Sequence, residues 1–359
     1  MLNNPIARSV HSFFAAALVA LLATLVLPSA AHAETKTWTG AINTDWHNDG
    51  NWSPIGIPAA TDDVTIPAGT GNVSISSADV TVQSLAMARP VTMAKSLTTV
   101  SANILATLTL GVRSTLNGGA YTFASGSSLV LPGSFQCDAA RLLNVTLIGN
   151  ITFTGGNVRW KSTSVVGSLA IAGPLSTIIA FEGDNLLNFP LTLTSNDVNL
   201  GQASDDPGVL TVGSTGSIVG KTADFSGGYT CSTTALSIVN NGAITANTAG
   251  QSFYFGSESA PSNNASIINN GTMNASAGSM SIRVGFSGST STLNGNNFTF
   301  AGEIDLGGST WDLTGKSYTF LNRATIRNGR IITTATSPRY PTTSGSLRLK
   351  DVIIDANVN

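Results

Sequence analysis

LNGNNFTF at residues 293–300 returns as LTGKSYTF at residues 313–320, and residues 116–123 read LNGGAYTF. A shorter variant, LIGNITF, stands at residues 147–153. In the three full copies an apolar residue can face inward, Gly can turn a corner because it tolerates positive φ, and the aromatic-Thr-aromatic ending alternates in, out, in. A unit that recurs in this way predicts stacked repeats whose apolar faces are buried only by their neighbours.

A second repeat places SIVNNG at residues 237–242 and SIINNG at residues 266–271. If each copy belongs to one turn of a stack, the asparagines of one copy lie against those of the next, Asn240 against Asn269 and Asn241 against Asn270. Stacked amides share hydrogen bonds along the stack. We therefore expect an asparagine ladder at these positions.

The spacing of the repeats, from position 293 to 313 and from 237 to 266, fixes the dimensions of the stack. Turns of about 20 to 29 residues divide the 326 residues after position 33 into about 11 to 16 turns, and the ~4.8 Å strand spacing gives a rod of about 50 to 80 Å. Antiparallel sandwiches also have short alternating strands and Gly-rich turns. Because the same unit recurs from residue 116 to residue 320, we predict an all-β fold, a right-handed parallel β-helix (β-solenoid).

The composition agrees with an elongated β structure. Charged residues make up 10% of the chain, against roughly a quarter in an ordinary globular domain. Short alternating runs of Leu, Ile, Val and Phe continue throughout, which a disordered segment lacks, and no helical apolar stripe occurs after residue 33. The chain past residue 33 has 16 basic and 19 acidic residues, a net charge of −3, which argues against nucleic acid as a partner.

Residues 1–33 have the form of an export signal. Arg8 provides the positive start, Phe13 to Leu27 form an apolar core, and Ala31-His32-Ala33 is a small-x-small cleavage site. The apolar run of about 15 residues is shorter than the roughly 20 that a membrane-spanning helix needs. We expect cleavage of this Gram-negative-like signal after Ala33, which leaves an exported mature chain without a membrane span.

Three of the five tryptophans, Trp38, Trp46 and Trp52, lie close together near the start of the mature chain. An open-ended stack exposes an apolar cross-section and unpaired strand edges, so it needs a plug. We assign that role to the tryptophan segment. The predicted divisions are a signal peptide (1–33), an N-terminal Trp-rich cap (34–67) and β-helix repeats (68–359) that continue past, or are truncated at, the C-terminus.

The opening of the mature chain resembles that of many bacterial secreted and autotransporter-like β-helix proteins. The residues that carry the resemblance are Trp38-Thr-Gly40, Asp45-Trp46, Asn51-Trp52, Gly56-Ile-Pro58 and Asp62-Asp63-Val-Thr-Ile66. The Asn-Asn-Gly repeats similarly resemble those of adhesin passenger regions. The resemblance implies an exported β-helical surface protein and names no ligand. The sequence departs from the autotransporter pattern at the C-terminus, where it stops within an alternating, strand-like pattern and no translocator barrel follows.

Candidate catalytic groups are few. His47 is the single histidine after residue 33, so it cannot belong to a multi-histidine metal site, and we interpret it as a polar turn residue. If the chain is a polysaccharide hydrolase or lyase, Asp205 and Asp206 are the best acid pair, with Asp184 or Asp224 in the same groove. Glycoside hydrolysis needs two carboxyl groups roughly 5 to 9.5 Å apart. Asp-Asp-Pro-Gly is also ordinary turn chemistry, which is the interpretation that we favour.

We expect no metal site and no cofactor. Asp62 and Asp63 are the candidates for calcium ligands, but they lack the repeated Asp and Gly pattern of a calcium loop, and a turn or strand entry is favoured. Cys137 and Cys231 are separated by roughly three to five turns, or about 15 to 22 Å along the stack. Bonded cysteines need Cα atoms within about 7 Å, so we predict two unpaired thiols.

These observations favour an exported cell-surface or extracellular structural or adhesive protein. Its rod would present faces of Thr, Ser and Asn side chains to glycan or protein partners, including host and cell-surface proteins. The alternative is a carbohydrate-active β-helix enzyme, a hydrolase or lyase. A third hypothesis is a stalk that displays another domain. We favour a role without catalysis because the chain has so few candidate catalytic groups.

Overall fold

The structure is a computed structural model that describes residues 33–133, 139–173, 176–203, 206, 208–225, 236–256, 265–321, 324–334 and 347–357. Short strands dominate these residues, and the one helical element among them is a 3-10 turn at Asp49–Asn51. Within the same ranges, no helix has the length and apolar character for a bilayer crossing.

The strands are numbered in chain order. The first twelve are β1 (Thr35–Trp38), β2 (Trp52–Ser53), β3 (Asp63–Ile66), β4 (Val73–Ile75), β5 (Val80–Met87), β6 (Val91–Met93), β7 (Leu97–Ile104), β8 (Thr107–Leu110), β9 (Thr115–Asn117), β10 (Ala120–Phe123), β11 (Ser128–Val130) and β12 (Ala140–Leu143). The next twelve are β13 (Thr146–Phe153), β14 (Gly156–Lys161), β15 (Ser164–Ile171), β16 (Thr177–Phe181), β17 (Asn185–Leu187), β18 (Pro190–Leu193), β19 (Val198–Gln202), β20 (Val209–Val212), β21 (Ser217–Gly220), β22 (Ala223–Asp224), β23 (Ser237–Asn240) and β24 (Ala243–Ala246). The last twelve are β25 (Ser252–Phe255), β26 (Ser266–Asn269), β27 (Thr272–Asn274), β28 (Ser279–Ile282), β29 (Gly285–Gly288), β30 (Leu293–Asn294), β31 (Phe298–Phe300), β32 (Glu303–Asp305), β33 (Thr310–Asp312), β34 (Thr319–Phe320), β35 (Thr325–Thr334) and β36 (Arg348–Asn357).

Each full turn carries strands on three sides. The successive strands β20, β21 and β22 pair in parallel with β23, β24 and β25 of the next turn. The amino-terminal ladder consists of β1, β3, β5, β7, β10, β13 and β15. The long ladder consists of β5, β7, β9, β12, β14, β16, β19, β22, β25, β28, β31 and β34. The carboxy-terminal ladder consists of β17, β20, β23, β26, β29, β32, β35 and β36. The side of β21 and β24 forms a further ladder of β13, β15, β18, β21, β24, β27 and β30, and β4, β6, β8 and β11 form a short one.

The prediction of an all-β parallel β-solenoid is confirmed. The chain makes about 12 turns, within the expected range. Their lengths vary more than expected: Val80 pairs with Leu97 of the next turn, whereas Ala223 pairs with Phe253, much further along the chain. The ladders tolerate this variation because the core imposes alternation on the strands and not on the segments between them. The right-handed sense of the coil stays a prediction.

The repeats that predicted the fold stack on one another where they are adjacent. Thr299 pairs with Thr319, and the rings of Phe300 and Phe320 stack with centroids 5.6 Å apart. Tyr318 faces the core, and its hydroxyl donates to the carbonyl of Leu293 (3.2 Å). The copy at residues 116–123 occupies a different corner, because it joins the long ladder to the amino-terminal ladder through β9 and β10.

The expected asparagine ladder is present. Asn240 and Asn269 are fully buried, and Asn240 Nδ2 donates to Asn269 Oδ1 (2.8 Å). Asn270 Nδ2 donates to Asn241 Oδ1 (3.0 Å) on the exposed side of the same turns. The inner pair satisfies polar groups inside the core, whereas the outer pair is surrounded by solvent.

Several strands cross a corner without any loop, and β13 and β15 are one such pair. β13 and β15 pair over their whole length, with Gly149 in register with Gly167. Both glycines have positive φ, +124° and +128°. A Cβ on Gly167 would lie 2.2 Å from the carbonyl oxygen of Gly149, so a side chain has no room at this corner.

Asn269→Ala should destabilise the fold far more than Asn270→Ala. The inner substitution removes the acceptor for Asn240 and the donor to the carbonyl of Ser289, so buried polar groups lose partners at a cost of about 1–3 kcal/mol. The outer substitution should change stability by no more than about 0.5 kcal/mol because its groups can bond to water. Urea unfolding followed by circular dichroism measures both. Equal midpoints for the two variants would contradict a role of the inner pair in stability.

The fold should lose stability in alkali as Tyr318 titrates. Burial raises the pKa of the Tyr318 phenol from 10.0 to about 12. Because the folded state holds this proton more tightly than the unfolded state, the stabilisation is complete below about pH 10 and is lost as the pH rises towards 12. Unfolding midpoints at pH values from about 9 to 12 should fall less steeply for Tyr318→Phe than for the wild type. Identical ultraviolet phenol titrations of the native and the urea-unfolded protein would show that burial does not protect the phenols.

Candidate functional site

Five charged side chains gather on and beside the long ladder, and we call them the charged cluster: Arg141, Arg159, Lys161, Glu182 and Asp206. Arg141 Nη2 contacts one carboxylate oxygen of Glu182, and Arg159 Nε contacts the other. Lys161 Nζ lies 2.5 Å from Asp206 Oδ2. In a chain with 10% charged residues, such a concentration around a fully buried carboxylate makes the cluster a candidate site.

The strand register brings the cluster together. Arg141 pairs with Arg159 between β12 and β14, so the two guanidinium groups project from the same outer row of adjacent turns. On the next turn Phe181 pairs with Trp160, and Glu182 follows Phe181 at the end of β16. The inward aromatic residues therefore anchor the strands, and the outward residues beside them face one another.

Glu182 is fully buried although it lies on an outward row. Its side chain is 0% exposed, whereas those of Arg141 and Arg159 are 36% and 23% exposed. The two arginines shield the carboxylate from water and compensate its charge, as a buried carboxylate requires. The arrangement connects three successive turns, so it acts as an ionic staple across β12, β14 and β16.

The predicted acid groove is only partly recognisable. Asp205 lies outside the described residues. Asp206 is engaged by Lys161, and its carbonyl accepts from the Gly183 amide (2.7 Å). Asp184 follows Gly183 and accepts from the Val209 amide at the start of β20 (2.8 Å). These two acids therefore lie beside one turn, where each makes a structural bond.

Asp224 lies elsewhere on the long ladder. It is in register with Asn199 of the preceding turn and with Tyr254 of the following turn. Its row differs from that of Arg159, which pairs with Ala180. The structure thus assigns Asp224 to a polar row of its own.

Asp62 and Asp63 occupy the turn and strand entry that the sequence favoured. Asp62 is buried, and its two carboxylate oxygens accept from the amides of Glu34 (3.1 Å) and Ala59 (2.8 Å). Asp63 is exposed at the start of β3 and accepts from the Ser84 hydroxyl (2.5 Å). Across the described ranges, no group of three or more His, Cys, Asp or Glu side chains is placed to hold a metal ion. Cys137 and Cys231 lie outside those ranges.

The three tryptophans of the predicted cap form one buried group. The ring centroids of Trp38 and Trp46 lie 5.0 Å and 4.7 Å from that of Trp52, each in an edge-on arrangement. Trp52 Nε1 donates to the carbonyl of Trp46 (2.8 Å). β1 and β3 already pair in parallel within the amino-terminal ladder, so the segment forms the first rung of the stack. Its function as a cap stays a prediction.

Asn51 organises the loop that carries these tryptophans. Asn51 is 0% exposed, and its side-chain oxygen Oδ1 accepts from the backbone amides of Ile42 (2.9 Å) and Asn43 (3.1 Å). Its Nδ2 donates to Asn43 Oδ1 and to the carbonyl of Asp45, both at 2.8 Å. A single amide thus satisfies four polar groups of an irregular loop.

Sequence reasoning missed the charged cluster. Its ion pairs join residues 41 and 45 positions apart, Arg141 to Glu182 and Lys161 to Asp206, and no local motif marks them. The available signal was a compositional one. Arg159-Trp160-Lys161 and Phe181-Glu182 place charges inside apolar strand runs of a chain that has few charges.

A family model described as a domain of unknown function (DUF8693) matches residues 37–133. The match covers about a quarter of the chain, from the tryptophan segment to just after β11, and the charged cluster lies outside it. No curated protein and no solved structure matches the chain. The resemblance to adhesins and autotransporters therefore stays a prediction.

Glu182→Gln should destabilise the rod by about 3 kcal/mol, because two partly buried arginines lose their counter-charge. The matched control is Glu303→Gln, whose carboxylate is 54% exposed and pairs with Arg327 Nε at 2.8 Å. Loss of that exposed pair should cost no more than about 1 kcal/mol. Urea unfolding of both variants measures the difference. A change of under about 1 kcal/mol for Glu182→Gln would contradict the ionic staple.

Proposed function

We propose that this chain is an exported extracellular or cell-surface protein whose β-solenoid presents long binding faces to glycan or protein partners. The rod contributes no chemistry in this role. It holds many short polar side chains in fixed register, so that weak contacts add along one face. Binding energy then depends on the length of the face that a partner covers.

One observation carries the proposal: the amino-terminal ladder holds a row of small, accessible side chains over seven successive strands. The members of this row are Thr35, Asp63, Ser84, Ser101, Ala120, Thr146 and Ser164. Neighbours within it are bonded, since Ser84 donates to Asp63 and the hydroxyls of Thr146 and Ser164 lie 3.1 Å apart. A row that carries a hydrogen-bonding side chain on six of its seven strands, which are ~4.8 Å apart, suits an extended polar partner.

Export is supported by the sequence of residues 1–33, which has a positive start, an apolar core and a cleavage motif. The scarcity of charge and the polar faces of the rod agree with a protein that works outside the cell. The resemblance of the opening segment to secreted β-helix proteins supports the same location.

A carbohydrate-active enzyme is the second candidate. The observation in its favour is that Asp184 and Asp206 lie beside the same turn at Gly183. Against it, Lys161 occupies a carboxylate oxygen of Asp206, and Asp184 is bonded to the Val209 amide. Each carboxylate thus uses one of its oxygens in a bond that holds the turn, which favours the binding role.

Two measurements test the proposal. When the full chain is expressed in a Gram-negative host, the exported product should have the mass of a chain that begins at Glu34. The fluorescently labelled product should bind to cell surfaces or immobilised glycans and leave polysaccharides intact. New reducing ends that disappear in Asp205→Asn or Asp206→Asn would instead establish the enzyme. Retention in the cytoplasm with an intact N-terminus would overturn export.

A further inference from the structure

Tyr254 is the one aromatic side chain among the described residues that is not buried. Every described Trp and Phe, together with Tyr121 and Tyr318, lies in the core, whereas Tyr254 is 37% exposed. It occupies the outward position of β25 between Phe253 and Phe255, which are both buried. Because successive side chains of a strand point to opposite faces, the two buried neighbours place this ring on the outer face.

The side chains around Tyr254 are polar in both directions along its row. Asp224 of the preceding turn and Ser281 of the following turn are in register with it, and of these two Asp224 is partly exposed whereas Ser281 is buried. Beyond them, the row continues with Asn199 on one side and Thr299 on the other. The ring thus lies in a polar row where adjacent turns are ~4.8 Å apart.

The flanking positions add further hydrogen-bonding groups. Ser252, two positions before Tyr254, pairs with Ser279, and their hydroxyls lie 2.5 Å apart. On the other side, Arg283 Nε donates to the hydroxyl of Ser281 (3.0 Å). Gly256 lies next to Arg283 and presents no side chain beside the ring. The surroundings offer hydroxyl, carboxylate and guanidinium groups, with one charge of each sign.

This combination distinguishes between classes of ligand. An aromatic anchor of a protein interface packs into an apolar pocket within the partner and is surrounded by apolar contacts. Around Tyr254 a single aromatic face is surrounded by hydroxyls and a pair of opposite charges. A pyranose ring matches it, because its C–H face packs on an aromatic ring with a negative π-face and its edge hydroxyls both donate and accept.

We infer that the exposed and partly exposed members of this row, Asp224, Tyr254 and Thr299, form a subsite for a neutral, linear glycan that lies along the rod axis with one sugar on Tyr254. The inference rests on the proposed binding function and adds to it a second face, on the long ladder, with its own ligand class. Opposite charges at Asp224 and Arg283 favour an uncharged chain over a polyanion. The parallel stacking of turns favours an extended chain over a single sugar.

Calorimetric titration of the mature protein with cellohexaose, xylohexaose, mannohexaose, laminarihexaose and a galacturonate hexamer tests the inference. At least one neutral hexaose should bind, and Tyr254→Ala should weaken that binding by about tenfold or more. Tyr254→Phe should keep most of the affinity because the ring remains. Ile268→Ala removes an exposed apolar side chain on the carboxy-terminal ladder, away from both polar rows, and should have no effect. Unchanged thermal unfolding of the variants establishes that they fold.

The outcomes separate this inference from the proposed function. Equal affinities of the wild type and Tyr254→Ala would overturn the subsite and leave glycan binding by another face intact. Binding to the galacturonate hexamer alone would overturn the neutral ligand class. Binding to cells without binding to any hexaose would overturn the subsite and support a protein partner. Failure to bind cells, glycans or hexaoses would overturn the subsite and the proposed function together.

Discussion

Burial by the neighbouring turn is the constraint on which this structure depends. Ile238 is almost fully buried because Leu210 and Ile267 lie in register on either side of it. Strands on other sides of the coil cover these strands from within, as where the rings of Phe286 and Phe300 pack with centroids 6.0 Å apart, but along the rod each turn relies on the turns before and after it. An inward side chain must therefore be apolar or must find a polar partner inside the stack. The alternation of burial along nearly every strand follows from that rule.

Several buried polar groups obey this rule by bonding to neighbouring turns or segments. Asn240 bonds to Asn269 one turn on, and Glu182 contacts arginines one and two turns back. Asn51 applies the rule to a loop, where it bonds four polar groups around the tryptophans. A shift of register by a single position would take Asn240 and Glu182 away from their partners, so these two groups favour one alignment of the turns over its alternatives.

The fold could be predicted from the sequence because the same stacking interaction recurs in successive turns, and a recurring interaction requires a recurring sequence pattern. The two Asn-Asn-Gly copies predicted the contact of Asn240 with Asn269, which the structure confirms. The ion pair of Lys161 with Asp206 occurs once, between distant parts of the chain, and leaves no pattern. Unequal turn lengths also hide which strands are adjacent, since the segments between strands absorb insertions without disturbing the ladders. Local alternation could therefore be predicted, whereas single contacts across turns required the structure.

The same constraint separates the fold from the binding surface. Inward positions such as Phe253 and Phe255 are fixed by their neighbours, while the outward position between them contacts solvent and can hold any residue that the strand tolerates. Corners are constrained only where the backbones meet, as at Gly149 and Gly167, which leave no room for a side chain. A rod built in this way can change its ligand by substituting outward residues or lengthening other corners, at little cost to its core. An exposed tyrosine at an outward position is therefore better explained by a ligand than by stability, because the stack does not need its ring.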